Sequence, residues 1–288
     1  MKILITGASG NVGMAVINSL SKIQHNHEII AGIRDFNKDK KKFAGHTVEF
    51  VKFDFLDATT YTPALEQIDI LFLLRPPQIT DTKHYFKPII EVAQLVKVKH
   101  IVFLSVQGVE KSSLIPHHKI EKLIVKSEMP HTFLRPAYFM QNFLNSLNND
   151  LVNKRRIYLP AGNAKFTLVD VADIGNVAAQ IIVNSTQYIN KAYELTNNEK
   201  LTFSEMAQQL TEILDKKIVY QSPSIISFYW TKRKEKMPLN LIMVMIMLHY
   251  LPRFQTEPHI SNCVKLISKK EPYTFQKFIK YNLKNLKK

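Results

Sequence analysis

A single cysteine, Cys263, stands in the whole chain, which excludes an internal disulfide and suits a reducing compartment. Long apolar runs are missing too: the most apolar stretch, 239–251, is too short to span a bilayer and is interrupted by His249 and Tyr250. No cleavage motif precedes the glycine-rich turn that starts at residue 7, so a cytoplasmic location and no membrane partner are expected. The ten histidines show no HExxH or other strong metal-ligand spacing, and no metal is expected. Acidic residues are scarce, 24 against 39 lysines and arginines, leaving a net charge of +15. Such an excess invites a nucleic-acid partner, but its distribution argues otherwise. Residues 261–288 hold eight lysines and one glutamate, arranged around an apolar stripe of Phe275, Phe278, Ile279, Leu283 and Leu286. That pattern predicts a packed helix with a solvated basic face. Zinc-finger spacing and aromatic–basic ribonucleoprotein motifs are both absent, and no nucleic-acid partner is expected.

What is present is concentrated at the start. Residues 3–13 read Ile-Leu-Ile-Thr-Gly-Ala-Ser-Gly-Asn-Val-Gly, a short apolar run entering three glycines spaced three apart, then a helical pattern. Gly7 permits a turn closed to residues with a Cβ, Gly10 allows close approach of a pyrophosphate, and Gly13 lets the helix sit against the strand. The helix N-terminus then directs unpaired N–H groups at negative charge. This is the dinucleotide-binding arrangement in its required context, after a first strand and opening a helix.

At 288 residues and 45 % hydrophobic content the chain can bury a full core. Apolar β-branched runs at 2–5, 28–33, 48–53, 70–74, 100–105 and 131–134 read as six strands. Stretches 12–21, 61–67, 85–97 and 119–127 between them carry helical spacing. Alternation of this kind predicts the α/β class, a doubly wound parallel sheet of Rossmann type with helices on both faces. Later, 166–183 reads as a strand end and helix, 192–196 as a short strand, and Thr202 as the cap of a helix over 203–214. Residues 222–260 combine prolines, an exposed-looking basic stretch at 232–236, and an isoleucine–methionine stripe suited to core packing or to ligand contact over the substrate mouth.

Ligands in such folds bind beyond the strand C-termini, so the residues there are the candidates. After the second strand come Arg34 and Asp35; a guanidinium pairs with a 2′-phosphate, a carboxylate with a ribose, and Arg34 coming first favours NADP(H) over NAD(H). After the third, Asp54 either holds an adenine amino group or caps a helix, and Phe55 is placed to flank the ring. The fourth ends Leu74-Arg75-Pro76, whose prolines hold the backbone open beside the cofactor riboses. The fifth ends at Ser105 and Gln107, with Ser105 expected beneath the nicotinamide. The sixth leads into Tyr138, Phe139, Gln141, Asn142 and Phe143.

Together these stretches, chiefly 6–13, 104–108, 134–143, 169–174, 193–214 and the closing Pro272-Tyr273-Thr274-Phe275, resemble the NmrA-like, atypical branch of the short-chain dehydrogenase/reductase superfamily. The resemblance implies an NADP(H)-binding domain, here 1–187, and a smaller C-terminal α/β substrate or partner domain, 188–288, with 138–150 contributing to a cleft between them. Cofactor contacts are then expected from Thr6, Gly7, Ser9, Gly10, Asn11, Val12, Gly13, Arg34, Asp54, Phe55, Leu74, Arg75, Pro76, Ser105 and Tyr138. Most of the superfamily uses a Tyr-x-x-x-Lys pair to protonate a developing alkoxide. Aligning Glu121 with the family's helix puts Ser113 and His117 at those positions, and the Tyr273–Lys277 spacing lies far away on the terminal helix. His118 is a candidate proton donor, or else a helix-start cap, and Gln107 or Asn142 a candidate partner for an acceptor oxygen. Tyr138, Phe139 and Phe143, with Gln141, either line an acceptor site or fill a core. Two functions follow as expectations: an NADPH-dependent reductase of quinones or similar conjugated acceptors, or a non-catalytic NADP(H)-binding regulator with a protein partner. The oligomeric state is left open by the sequence.

Overall fold

A computed structural model describes residues 1–79, 81–111, 113 and 115–287. The chain forms two compact units. The first comprises Met1–Pro136, Val171–Leu195 and Cys263–Glu271. Its strands are β1 (Lys2–Ile5), β2 (Glu28–Ile33), β3 (Glu49–Lys52), β4 (Ile70–Leu74), β5 (His100–Leu104), β6 (His131–Pro136) and β10 (Lys191–Leu195). Its helices are α1 (Asn11–Leu20), α2 (Phe36–Asp39), α3 (Tyr61–Leu65), α4 (Thr82–Leu95), α5 (Pro116–Lys126), α7 (Val171–Val183) and α11 (Cys263–Ser268). The strands form one sheet in the order β10-β6-β5-β4-β1-β2-β3 with every pairing parallel. Central strands such as β5 are buried along their whole length, as a sheet covered on both faces requires. Strand order turns back beside β1, which puts the loop after β1 at the topological switch point.

The six strands expected in the first two-thirds all form, with the short strand near 192 joining as the outer neighbour of β6. Helix α4 starts earlier than its apolar spacing indicated, because Asp81 Oδ1 accepts the His84 N–H at 3.0 Å. Helix α7 lies directly on α1: a Cβ on Gly175 would stand 2.5 Å from the Ala15 carbonyl oxygen. Under the sheet, His100 shares Thr132 with Tyr188, its Nε2 at 2.8 Å from a hydroxyl that donates onward to the Tyr188 carbonyl.

The second unit comprises Ala137–Asp170, Thr196–Asn262 and Pro272–Lys288. It contains β7 (Tyr138–Phe139), α6 (Asn148–Lys154), β8 (Arg156–Tyr158), β9 (Lys165–Val169), β11 (Lys200–Thr202), α8 (Phe203–Leu214), β12 (Val219–Gln221), α9 (Ile225–Lys234), α10 (Leu239–Tyr250), α12 (Phe275–Tyr281) and α13 (Leu283–Leu286). Strands β11-β9-β7 form one small sheet and β12-β8 another, around a core that includes Phe143, Phe203, Phe228, Phe275 and Phe278. Thr202 caps α8 as expected, in a reciprocal box with Glu205. The terminal helix is two short ones separated at Asn282, and Phe275, Phe278, Ile279 and Leu286 are buried as the stripe indicated.

The division expected after residue 187 is not where the chain separates. Residues 138–170 supply three strands to the second unit, whereas β10 returns to the edge of β6 and α11 packs on α7 in the first. A boundary read along the chain misses this because strand pairing joins segments that are distant in sequence.

Two core histidines make stability acid-sensitive. Burial lowers His100 in the first unit and His249 in the second from 6.5 to about 4. Between those values the folded chain binds fewer protons than the unfolded one, so stability is expected to fall as pH drops from 6.5 to 4, by roughly 2–3 kcal/mol per histidine. Urea denaturation across that range should show a shallower loss for His100→Gln than for the parent chain; an unchanged slope would exclude His100 as a contributor.

Candidate functional site

The loop after β1 is built from close backbone contacts. Gly7 sits at φ +58°, and a Cβ there would meet the Leu74 side chain at 2.8 Å. The Gly10 N–H donates to the Gly7 carbonyl at 3.0 Å. A Cβ on Gly13 would fall 2.4 Å from that same carbonyl oxygen, so only glycine fits. No side chain caps Gly10 and no acid occupies the first turn of α1. The leading N–H groups of Asn11, Val12 and Gly13 therefore face outward with the positive end of the helix dipole, a cradle for an anion. Beside it, burial pushes the Asp39 carboxyl up, but hydrogen bonds from Lys42 and Ser9 more than offset this and hold it below the usual range.

Thr6 is placed differently from its expected role. Its N–H and its hydroxyl both donate to the Phe72 carbonyl, and the hydroxyl accepts the Leu74 N–H at 3.1 Å. The side chain is fully buried and clamps β1 to β4; its hydroxyl is committed to the sheet.

Beyond β2 the two candidate selectivity residues divide their work. Asp35 Oδ1 accepts the N–H groups of Asn37 and Lys38 at 3.0 and 3.1 Å, capping α2. The Arg34 side chain is exposed and makes no hydrogen bond or ion pair among the described residues. One carboxylate oxygen is thus engaged by the local backbone, and the guanidinium is open to a ligand. Beyond β3, Asp54 Oδ1 accepts the Leu56 N–H at 3.0 Å, closing a turn, while Asp57 takes the capping position. Phe55 does not face a ligand: it is buried edge-on against Phe53 and tilted on Phe86, because the strand end directs it into the core.

Arg75 folds back onto its own loop. Its NH1 donates to the carbonyls of Pro76, Pro77 and Ile79, and its Nε to His117 Nε2 at 3.4 Å. Burial lowers its pKa, and burial followed by the Arg75 charge pushes His117 down from 6.5 to about 3. His117 is therefore a neutral acceptor at the start of α5. Its neighbour His118 approaches the Val109 carbonyl with Nδ1 at 3.1 Å, so that nitrogen donates there. The His118 Nε2 is buried with no hydrogen-bond partner among the described residues. The ring lines a hollow of about 490 Å³ with Glu110, Lys122, and the paired Glu121 and Arg135, whose two hydrogen bonds measure 3.1 and 2.7 Å. Gln107 Nε2 donates to Glu194 Oε2 at 3.0 Å, which engages the amide proposed for an acceptor oxygen. Ser105 is buried at the end of β5 and its Oγ has no partner among the described residues, a polar atom that a ligand group would satisfy.

In the second unit, Tyr138 donates its hydroxyl to His249 Nε2 at 3.1 Å, while His249 Nδ1 lies 2.6 Å from the Met245 carbonyl. The Tyr138 ring packs edge-on against Phe166 and Phe203. Phe143 is fully buried between Phe203 and Phe275, so it fills the core rather than offering a surface. Phe139, Gln141 and Asn142 are partly exposed. Lys277 lies 4.3 Å over the Tyr273 ring, so that Tyr-x-x-x-Lys spacing makes a cation–π contact within the second unit. Sequence spacing did not separate the inward aromatics from the outward ones, since Phe139 and Phe143 sit in one short irregular segment without period. Phe143→Ala should cost about 3–5 kcal/mol of unfolding free energy by urea denaturation; a change under about 1 kcal/mol would return it to the candidate surface residues.

Among the described residues, no group of three or more histidine, cysteine or acidic side chains is placed to hold a metal. Prestalk A differentiation protein A of Dictyostelium discoideum is 30 % identical over 221 residues, 77 % of this chain and 72 % of that protein. Quinone oxidoreductase 2 of Escherichia coli (strain K12) is 28 % identical over 230 residues, 78 % of this chain and 79 % of that one. In fold, the solved structure of Citrobacter sp. triphenylmethane reductase complexed with NADP(H) matches with a TM-score of 0.86 at 24 % identity, covering 97 % of this chain and 99 % of that one. The sequence profile of the NmrA-like family matches residues 1–279, and the chain belongs to that family.

Proposed function

We propose that this protein is an NADPH-dependent oxidoreductase that passes hydride to a quinone or a similarly conjugated small molecule in the cytoplasm. The observation that carries the nucleotide reading is the pairing of an uncapped α1 N-terminus with an open Arg34 beside a carboxylate that caps α2. A Cβ at Gly13 would collide with the Gly7 carbonyl and unseat the helix start that forms the cradle, and Arg34 is free to pair with a 2′-phosphate, whereas one oxygen of Asp35 already accepts two backbone N–H groups. Ser105 Oγ is the unmatched polar atom at the end of β5 available to the carboxamide end of such a molecule. The dinucleotide, when bound, supplies the hydride.

The acceptor class follows from the residues around α5. His117 is neutral and accepts from Arg75, and the His118 Nδ1 is engaged by the Val109 carbonyl, so neither of these nitrogens is free to protonate an acceptor. Reduction of an isolated ketone creates a strongly basic alkoxide that needs a positioned donor. A reduced quinone is a delocalised, phenolate-like anion that water protonates, so the chain need only bind and orient the acceptor. The E. coli relative that is named a quinone oxidoreductase supports that class.

A second reading, a redox-sensing NADP(H)-binding regulator with a protein partner, draws support from one feature. The side chains of Gln107, His118 and Tyr138, all proposed to serve a nicotinamide or an acceptor, have partners inside the protein.

Loss of NADPH absorbance with benzoquinone, naphthoquinone and simple aldehydes separates the two. Turnover on the quinones alone is expected. No turnover, with distinct affinities for NADP⁺ and NADPH, would replace the enzyme by the sensor, and no affinity for any nicotinamide nucleotide would remove both. Arg34→Ala is expected to raise the dissociation constant for NADPH about 10–100-fold while leaving NADH nearly unchanged. Equal loss for the two nucleotides, measured by fluorescence titration, would reject the cofactor preference.

A further inference from the structure

Helix α10 is apolar on both sides. Ile242, Met245 and His249 are buried in the second unit, yet Leu241, Met243, Met247 and Leu248 are exposed, as is Leu251 just past its end. A helix without a polar face is ordinarily covered all round, and a group of exposed apolar side chains marks a surface that meets something other than water. Helix α9 packs against α10 and adds Ile226 and Trp230, one turn apart and 71 % and 60 % exposed. Phe254, also 71 % exposed, follows shortly after the end of α10 and packs edge-on against Tyr250.

Charge selects the occupant. Residues 225–256 contain Lys232, Arg233, Lys234, Lys236 and Arg253 against a single acid, Glu235. The basic stretch is not uniformly exposed as its sequence indicated: Lys232 is 2 % exposed and paired with Asp150 and Glu235. Glu235 is further tied to Lys154, which leaves Arg233, Lys234, Lys236 and Arg253 as an exposed cationic rim. A second copy docked symmetrically on this face would bring two such rims together. Anionic headgroups would neutralise the rim while the acyl boundary accepts the apolar side chains. Trp230, Phe254 and the long basic stems suit that boundary, where an apolar body and a charged tip are both accommodated.

We propose that the α9–α10 segment is a docking surface for the anionic face of a phospholipid membrane. The protein would lie on the bilayer without crossing it, in keeping with the absence of a membrane-length apolar helix among the described residues. Its test reads vesicle binding and the quinone assay reads turnover, so the two can fail separately.

Trp230 is the only tryptophan in the chain, so emission excited selectively from tryptophan reports on this surface alone. The full-length protein is mixed with phosphatidylcholine vesicles, either pure or carrying about 30 % phosphatidylglycerol. Co-sedimentation and a blue shift of emission are expected with the anionic vesicles only, both reversed by salt at roughly 0.5 M. The double variant Met247→Glu/Leu248→Glu and, separately, Arg233→Glu/Lys234→Glu alter exposed positions and should each weaken binding about tenfold or more, with far-ultraviolet circular dichroism and NADPH binding unchanged. Unaltered emission with no sedimentation, or binding undiminished in both folded variants, would overturn the proposal. A blue-shifted emission without lipid, in a dimer seen by sedimentation velocity, would assign the face to a second copy instead.

Discussion

Contact between backbones, with no side chain in between, governs the candidate site. Gly13 passes so near the Gly7 carbonyl that any Cβ would overlap it, and farther along α1 the backbone of Ala15 lies against Gly175 of α7. Helix α1 is held at two points by residues that add no bulk. Its N-terminus is thereby pinned at the end of β1, beside the place where strand order turns back. The anion cradle at the start of α1 derives from that seating.

The net charge of +15 resolves into separate local roles. Arg34 is open, Arg75 is folded onto three carbonyls of its own loop, and Arg135 is locked to Glu121. Lys232 is buried with Asp150, whose carboxyl is pushed up by burial and then brought below its usual range by Lys232, Arg156 and Lys154. Buried charges persist only when paired in this way, and the cluster ties α6, β8 and α9 together. Composition alone counts all of these cations as equivalent.

Much of the first unit was legible in the sequence, because a parallel sheet writes itself as apolar runs separated by helical spacing, and the glycines mark the turn. The side-chain directions at strand ends were not. Phe55 and Phe143 turn inward and Thr6 clamps two strands, since once a strand ends, alternation no longer tells inside from outside. The path of the chain between its two units was hidden for a related reason. The pairing of β10 with β6 joins residues about sixty positions apart, and no local pattern encodes it.

One small detail has a wider reach. Asp35 holds down the first turn of α2, so the same carboxylate that might have welcomed an unphosphorylated ribose is what keeps the adjoining segment wound. A lineage drifting toward the other dinucleotide would have to turn the second carboxylate oxygen to the ribose while the first keeps its two N–H groups, or find a substitute cap. Preference for one coenzyme and the folding of a nearby helix are thereby coupled, and altering Arg34 alone would abolish the first choice without creating the second.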